Sequence, residues 1–244
     1  ALTALPAGIT TIGNDAFNGA KLHALHTLPK SLKVINDRVF TGTFLNRLET
    51  LPVGLTKIGK SAFENAQLTS LTALPDGLTT IGEAAFVKAK LSALVALPVQ
   101  LTTLEQQTFQ NADLSELLEL PAGLTTIGVA AFSHAKLYKL CKLPVGLTLI
   151  SENAFLASKL SALQELPAKL TEISRGAFSF VEGLALCSGL PPKVRLVGDG
   201  AFYYCHDLSL KALGDIYGIN VRALDEDNIK RLKSGTPSRL EKNC

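Results

Sequence analysis

The chain has 244 residues, a formal net charge of +3, 47% apolar residues and only 18% charged ones. Its Lys and Arg residues are scattered along the sequence. No clustered basic stripe is available to meet phosphates, and nucleic acid is not an expected partner. Thr, Gly, Lys or Glu interrupts every apolar run well short of the ~18 residues a membrane span needs, so no span is expected and the chain reads as soluble.

The opening Ala1-Leu2-Thr3-Ala4-Leu5-Pro6 echoes Leu71-Thr72-Ala73-Leu74-Pro75 further on. The chain therefore reads as entered in mid-repeat, with no initiator Met and no signal-peptide pattern. On that reading Leu2, Leu5, Ile9 and Ile12 face solvent unless something covers them. A Leu-Pro pair returns every 23 residues from Leu5 to Leu166, and once more at Leu190 after one extra residue. A phenylalanine keeps step at Phe17, Phe40, Phe63, Phe86, Phe109, Phe132, Phe155 and Phe178, with Phe202 after the same slip. A fixed period in this range means stacked small units, not one globular core. Residues 1–210 are expected to form one solenoid of about nine such units, and residues 211–244 a cap.

One unit reads Ala66-Gln67-Leu68, Leu71, Leu74-Pro75, Gly77-Leu78-Thr79, Ile81-Gly82 and Ala85-Phe86. Leu71 is expected on a short strand, pointing inward while its neighbours point outward, so that successive units build a parallel sheet. Pro75 cannot donate to a ladder and ends that strand. Leu78 and Ile81 return to the core, Gly82 supports a bend, and Ala85-Phe86 is expected to make a tight helical turn carrying an aromatic ring inward.

These residues resemble a leucine-rich repeat of the BspA-like type, whose second half runs V-x-x-I-G-x-x-A-F-x-x-C. Leu78-Thr79-Thr80-Ile81-Gly82 with Ala85-Phe86 matches it closely, while the first half has one more residue before Pro75 and lacks a laddering Asn. The resemblance implies an α/β repeat fold: a leucine-rich-repeat solenoid with the parallel sheet on its concave face, short helical turns and irregular segments on its convex face, and a small C-terminal cap. It also implies protein recognition through the sheet, as in bacterial surface proteins or effectors and protist surface proteins, and it transfers no catalytic residue.

After Leu210 the period stops. Asp225 stands as the N-cap of a short helix, Leu224 and Ile229 are spaced as a hydrophobic staple, acids precede bases, and Gly235 marks the stop.

Cys205 fills the small slot held elsewhere by Ala66, Ala89, Ala112 and Ala135, and is expected to be a buried, inert thiol. Cys141 and Cys187 lie two units apart, about 9–10 Å at the spacing of strands, too far for a bridge. No disulfide framework is expected, which favours a reducing compartment and a cytosolic protein, delivered into a host cell in the effector reading, over a surface or secreted one. His23 and His26 share a segment with no further ligand beside them, and neither they nor His134 and His206 join a nucleophile and an orienting group. No cofactor, metal or enzymatic activity is expected. The Thr column of Thr10, Thr56, Thr79, Thr102, Thr125, Thr148 and Thr171 has the regularity of an ice-binding array, but β-branched residues suit a half-exposed strand and their hydroxyls can satisfy nearby backbone.

The positions flanking the inward leucine are free of core demands. Val95 and Leu118 on adjacent units, beside Ala93 and Cys141, are expected to form an exposed apolar patch rimmed by Arg47, Glu49, Glu116 and Lys139, with Tyr138 as an aromatic anchor. His26, Thr72 and Gln164 complete the candidate surface. The expected function is a non-enzymatic scaffold that binds a protein partner there, as an inhibitor, adaptor or bacterial effector or effector regulator. The alternative is a cell-surface adhesin or a structural protein that associates end to end with its own copies.

Overall fold

The computed structural model describes residues 2–240, so Ala1 and Cys244 lie outside the described residues. Each turn of the coil contributes one two-residue strand: β1 Thr11–Ile12, β2 Val34–Ile35, β3 Lys57–Ile58, β4 Thr80–Ile81, β5 Thr103–Leu104, β6 Thr126–Ile127, β7 Leu149–Ile150, β8 Glu172–Ile173 and β9 Leu196–Val197. Neighbours pair in parallel with like residues in register, Ile35 beside Ile58 and Ile58 beside Ile81. The ladder forms two sheets, β1–β4 and β5–β9. The break falls where Leu104-Glu105 replaces the Ile-Gly of the unit.

The strands thus lie at Thr80–Ile81 and its equivalents, not at Leu71 as the hydrophobic spacing suggests. Around Leu71 the rungs are stitched only by isolated bridges, such as Thr50 with Ala73 and Ala96 with Glu119. A turn closed by Leu71 N–H on Leu68 O precedes the segment, and Pro75 with its missing donor follows four residues later, leaving no room for a longer run. The Pro75 carbonyl accepts from Leu78 N at 3.0 Å, and this turn recurs in every rung from Pro29 to Pro191.

The core is a set of columns. Leu25, Leu48, Leu71, Leu94, Leu117, Leu140 and Leu163 are fully buried, as are the Leu78 equivalents from Leu32 to Leu170. On the third side the phenylalanines form one continuous stack from Phe17 to Phe202, with ring centroids 5.3–5.6 Å apart and planes within 16° of parallel. Every ring of the stack from Phe40 onward is fully buried.

The expected helical turn about Ala85-Phe86 is absent. Ala84, Phe86 and Lys88 donate their N–H groups across to Gln106, Thr108 and Gln110 of the next rung, while Ala85, Val87 and Ala89 bond back three residues within their own. Turning alternate N–H groups outward requires left-handed backbone at Ala84 (φ 56°) and Lys88 (φ 56°), and the same two positions are left-handed in every other rung. Such a conformation disfavours a side chain, and the inter-rung bonds hold it in place. Gly82 has a different reason from the expected bend: a Cβ there would lie 2.8 Å from the Gly59 carbonyl carbon, so it permits close approach of two rungs. The threonine hydroxyls serve the backbone, Thr79 Oγ1 donating to Thr56 O and Thr171 Oγ1 to Thr148 O.

At the N-terminal end Leu2 is exposed and Leu5 and Ile9 are half-buried. Ile12, expected in solvent, is buried because β2 packs Ile35 beside it.

Two helices follow β9. α1, Leu210–Ile219, was not foreseen. It carries no acid in its first turn and no base in its last, and contains Gly214 and Gly218; its one local signal is Ser209, whose side chain accepts from Ala212 N. α2, Glu226–Ser234, has the expected Asp225 cap and a left-handed Gly235 stop. Between them Val221–Ala223 makes one short turn that acts as a surrogate next rung. Gly200 N donates to Arg222 O, Phe202 N to Ala223 O, and Tyr204 N to the Asp225 carboxylate at 2.6 Å. Asp225 therefore ends the ladder with a side-chain oxygen while its other oxygen caps α2 through Asn228 N. Asp225→Ala leaves both donors unmet, and we expect a loss of about 2–4 kcal/mol in urea unfolding, against about 1 kcal/mol for an ordinary cap. Arg231 fastens α2 to the solenoid through the carbonyls of His206 and Leu208.

Cys205 is fully buried and donates to Phe178 O; burial pushes its thiol up to about 12. Cys141 and Cys205 are free thiols, but Cys187 is disulfide-bonded, which corrects the expectation of a chain without bridges. Cys141 is free, so the pairing that the rung spacing excluded is absent; that spacing bears on no other partner for Cys187. A disulfide belongs to oxidising surroundings, and the argument for a cytosolic protein loses its premise.

Candidate functional site

Two columns flank the buried leucines. His26, Glu49, Thr72, Val95, Leu118, Cys141 and Gln164 form one, all exposed; Arg47 and Lys139 are exposed in the other, with Glu116 half-exposed between Ala93 and Lys139. The backbone holds them in step: Thr72 N donates to Glu49 O, Val95 N to Thr72 O at 3.3 Å, and Leu118 N to Val95 O at 3.1 Å. Val95 and Leu118, 44% and 51% exposed, are therefore side by side on consecutive rungs, with Cys141 next in line. Tyr138 is exposed one column away.

The rim charges partly satisfy each other. Lys139 Nζ lies 2.5 Å from Glu116 Oε2, and Lys136 Nζ lies 2.8 Å from Asp113 Oδ2 on the adjoining column. Partial burial pushes the Asp113 carboxyl up, but hydrogen bonds from Lys136 and Ser115 together with the Lys136 charge carry it below its ordinary value. Exposed pairs of this kind add little stability but fix the pattern of sign beside the apolar residues.

Sequence reasoning missed the far half of this surface. Val99 and Val145 are 64% and 73% exposed, each four residues beyond a patch residue on its own rung and just after the turn proline. Val53 occupies the same place on an earlier rung, 84% exposed. The signal was legible: valine favours pleated strands, and a valine just after the turn proline, in Pro-Val-Gly at Val53 and Val145 and Pro-Val-Gln at Val99, has no local reason to be there. Val99 and Val145 thus add exposed apolar positions on the rungs of Val95 and Cys141, across the column of Ala96, Glu119 and Lys142.

His23 and His26 are both exposed, and the His23 ring packs against Phe44 at 4.8 Å. Among the described residues no group of three or more His, Cys, Asp or Glu side chains is placed to hold a metal ion, and no helix is long and apolar enough to cross a membrane.

A coil of parallel strands, leucine columns and one aromatic stack, with variable residues displayed outside, defines a leucine-rich-repeat solenoid. The sequence profile of the BspA type leucine rich repeat region matches residues 3–115 and 102–230 in 6 copies, and the chain belongs to that family. Leucine-rich-repeat folds serve typically as non-enzymatic scaffolds. No curated protein matches the chain. Among solved structures it is similar to a leucine-rich repeat protein of Bacteroides ovatus ATCC 8483, at 20% identity and a TM-score of 0.43 over 84% of this chain. The chain spans 64% of the length of that protein. The leucine-rich repeat protein of T. pallidum is 22% identical, with a TM-score of 0.45 over 86% of this chain and 80% of its own. A leucine rich cell surface protein of Faecalibacterium prausnitzii A2-165 is 19% identical, with a TM-score of 0.47 over 84% and 67%. Likeness at this level bears on none of their functions.

Proposed function

We propose that the chain is a protein-binding scaffold that captures its partner on the outer surface of the rungs carrying Val95, Leu118 and Cys141. The observation that carries this reading is the adjacency of exposed Val95 and Leu118 on consecutive rungs, with Val99 and Val145 exposed nearby, all at positions the core does not dictate. Tyr138 adds an amphipathic anchor at its edge, and Arg47, Glu49, Glu116 and Lys139 set specificity around it, with His26, Thr72 and Gln164 at the margins. Residues up to 210 form the binding solenoid, and residues 211–244 serve as its cap.

The bonded Cys187 supports a secreted or surface-held binder of the adhesin kind over a cytosolic inhibitor, adaptor or effector. The cap that occupies the last rung supports lateral capture over end-to-end stacking of copies. The test is quantitative affinity capture from host-surface and self extracts on wild-type chain and on the Val95→Glu, Leu118→Glu double variant. A partner retained by the first and lost by the second, with the circular dichroism unchanged, supports the reading. Equal capture by both rejects the site.

A further inference from the structure

The last two rungs carry a second surface, distant in register from the first. At the second left-handed position of each rung the chain places Gly19, Gly42, Asn65, Lys88, Asn111, His134 and Ala157, residues that are small, flexible or tolerant of that backbone. The final two members are Phe180 (φ 60°) and Tyr204 (φ 58°), bulky rings in a conformation bulky residues avoid. The rings stay about half in water: Phe180 is 50% exposed and Tyr204 46%. They stack on each other at 4.6 Å, and Tyr203 meets Tyr204 edge-on. One depression in the surface is lined by Tyr203, Tyr204, Arg222, Glu226 and Asp227 around the rigid Asp225 cap.

We propose that this aromatic platform binds a lysine or arginine side chain of a basic peptide segment. An exposed π face beside carboxylates attracts a cation from two directions at once, through the ring quadrupole and through Coulomb attraction. The chain supplies its own stand-in: the Lys230 ammonium lies 3.9 Å from Glu226 and 3.6 Å from Asp227, in pairs exposed enough to be displaced. Arg222 is the one opposing charge of the lining, and its guanidinium is drawn toward Asp199 at 4.0 Å. The chain as a whole is positive, so attraction of a cation must be local to this site.

The test uses labelled hexalysine and measures anisotropy. Tyrosine emission is a second readout, since the chain has four Tyr and no Trp. Saturable binding is expected, weakened at least about fivefold by Tyr204→Asn or Phe180→Gly and by Glu226→Gln with Asp227→Asn, and tightened by Lys230→Ala. Asn and Gly suit the left-handed backbone, so the ring variants should keep or raise the melting temperature. If either nevertheless fails to fold, the exposed carboxylate pair and Lys230→Ala decide alone. Absence of hexalysine binding, or binding indifferent to these changes, overturns the proposal. Ring-dependent binding of uncharged chitohexaose in place of hexalysine overturns it in favour of a glycan. Because Val95 and Leu118 take no part, the Val95→Glu, Leu118→Glu variant should bind hexalysine normally whatever becomes of the proposed protein partner.

Discussion

Phe132→Ala is expected to cost about 3–5 kcal/mol in urea or thermal unfolding followed by circular dichroism, one of the largest effects available in this chain. The ring is fully buried and stacks on Phe109 at 5.6 Å and on Phe155 at 5.4 Å, so truncation opens a cavity and removes two aromatic contacts together. The residue also stands where an N–H turned toward the next rung reaches Ala154 O at 2.8 Å. Position along the stack should matter as much as chemistry. Phe17 has one ring neighbour and is half-buried, and Phe17→Ala should cost about half as much, because each rung of a solenoid is stabilised only by the rungs it touches. Equal costs at both positions would show that stability is not shared by nearest neighbours.

The second large effect concerns binding. Val95→Glu with Leu118→Glu is expected to weaken partner capture by at least about 1,000-fold while changing folding stability by less than about 1 kcal/mol. Each anchor is worth about 2 kcal/mol if it fills a partner pocket, and every 1.4 kcal/mol is tenfold. The carboxylates would also be buried without counterions in the complex. In the free protein both side chains are about half in water, so little core packing is lost. Their adjacency on consecutive rungs does bring two like charges together near Glu116, a repulsion of about 0.2–1 kcal/mol. Val95→Lys with Leu118→Glu removes that repulsion and should lose the partner equally. A loss confined to the double-Glu protein would point to the fold and away from the interface.

Much of the architecture was legible because the period is long and repeated: nine coordinated copies of Leu-Pro and Phe fix the rung, its buried columns and the aromatic stack. What escaped was finer than the pattern could carry. Hydrophobic spacing marks Leu71 as buried but does not say whether its backbone ladders. That is settled by the turn before it and by Pro75. The Ala85-Phe86 segment carries helix-compatible residues, and nothing in Ala84 or Lys88 announces left-handed backbone; only the need to pass alternate N–H groups to the next rung imposes it. α1 has no acid in its first turn and no base in its last and holds two glycines, so tertiary packing of Ala212, Leu213 and Ile216 makes it a helix. Of the candidate surface, the Val95 and Leu118 half follows from alternation about Leu94 and Leu117. Val99 and Val145 were overlooked because turn positions were read only for their Pro and Gly. The bond of Cys187 escaped because rung spacing could exclude only its pairing with Cys141, which is free.

The claim on which the functional account turns is that the partner sits on the Val95 and Leu118 side of the rungs. Photo-crosslinking tests it most directly, with p-benzoylphenylalanine installed singly in place of Val95, Leu118, Lys88 or Asn111, the last two exposed on the aromatic-stack side. The account predicts one partner band from positions 95 and 118 and none from 88 and 111. A band from 88 or 111 with none from 95 and 118 would contradict it.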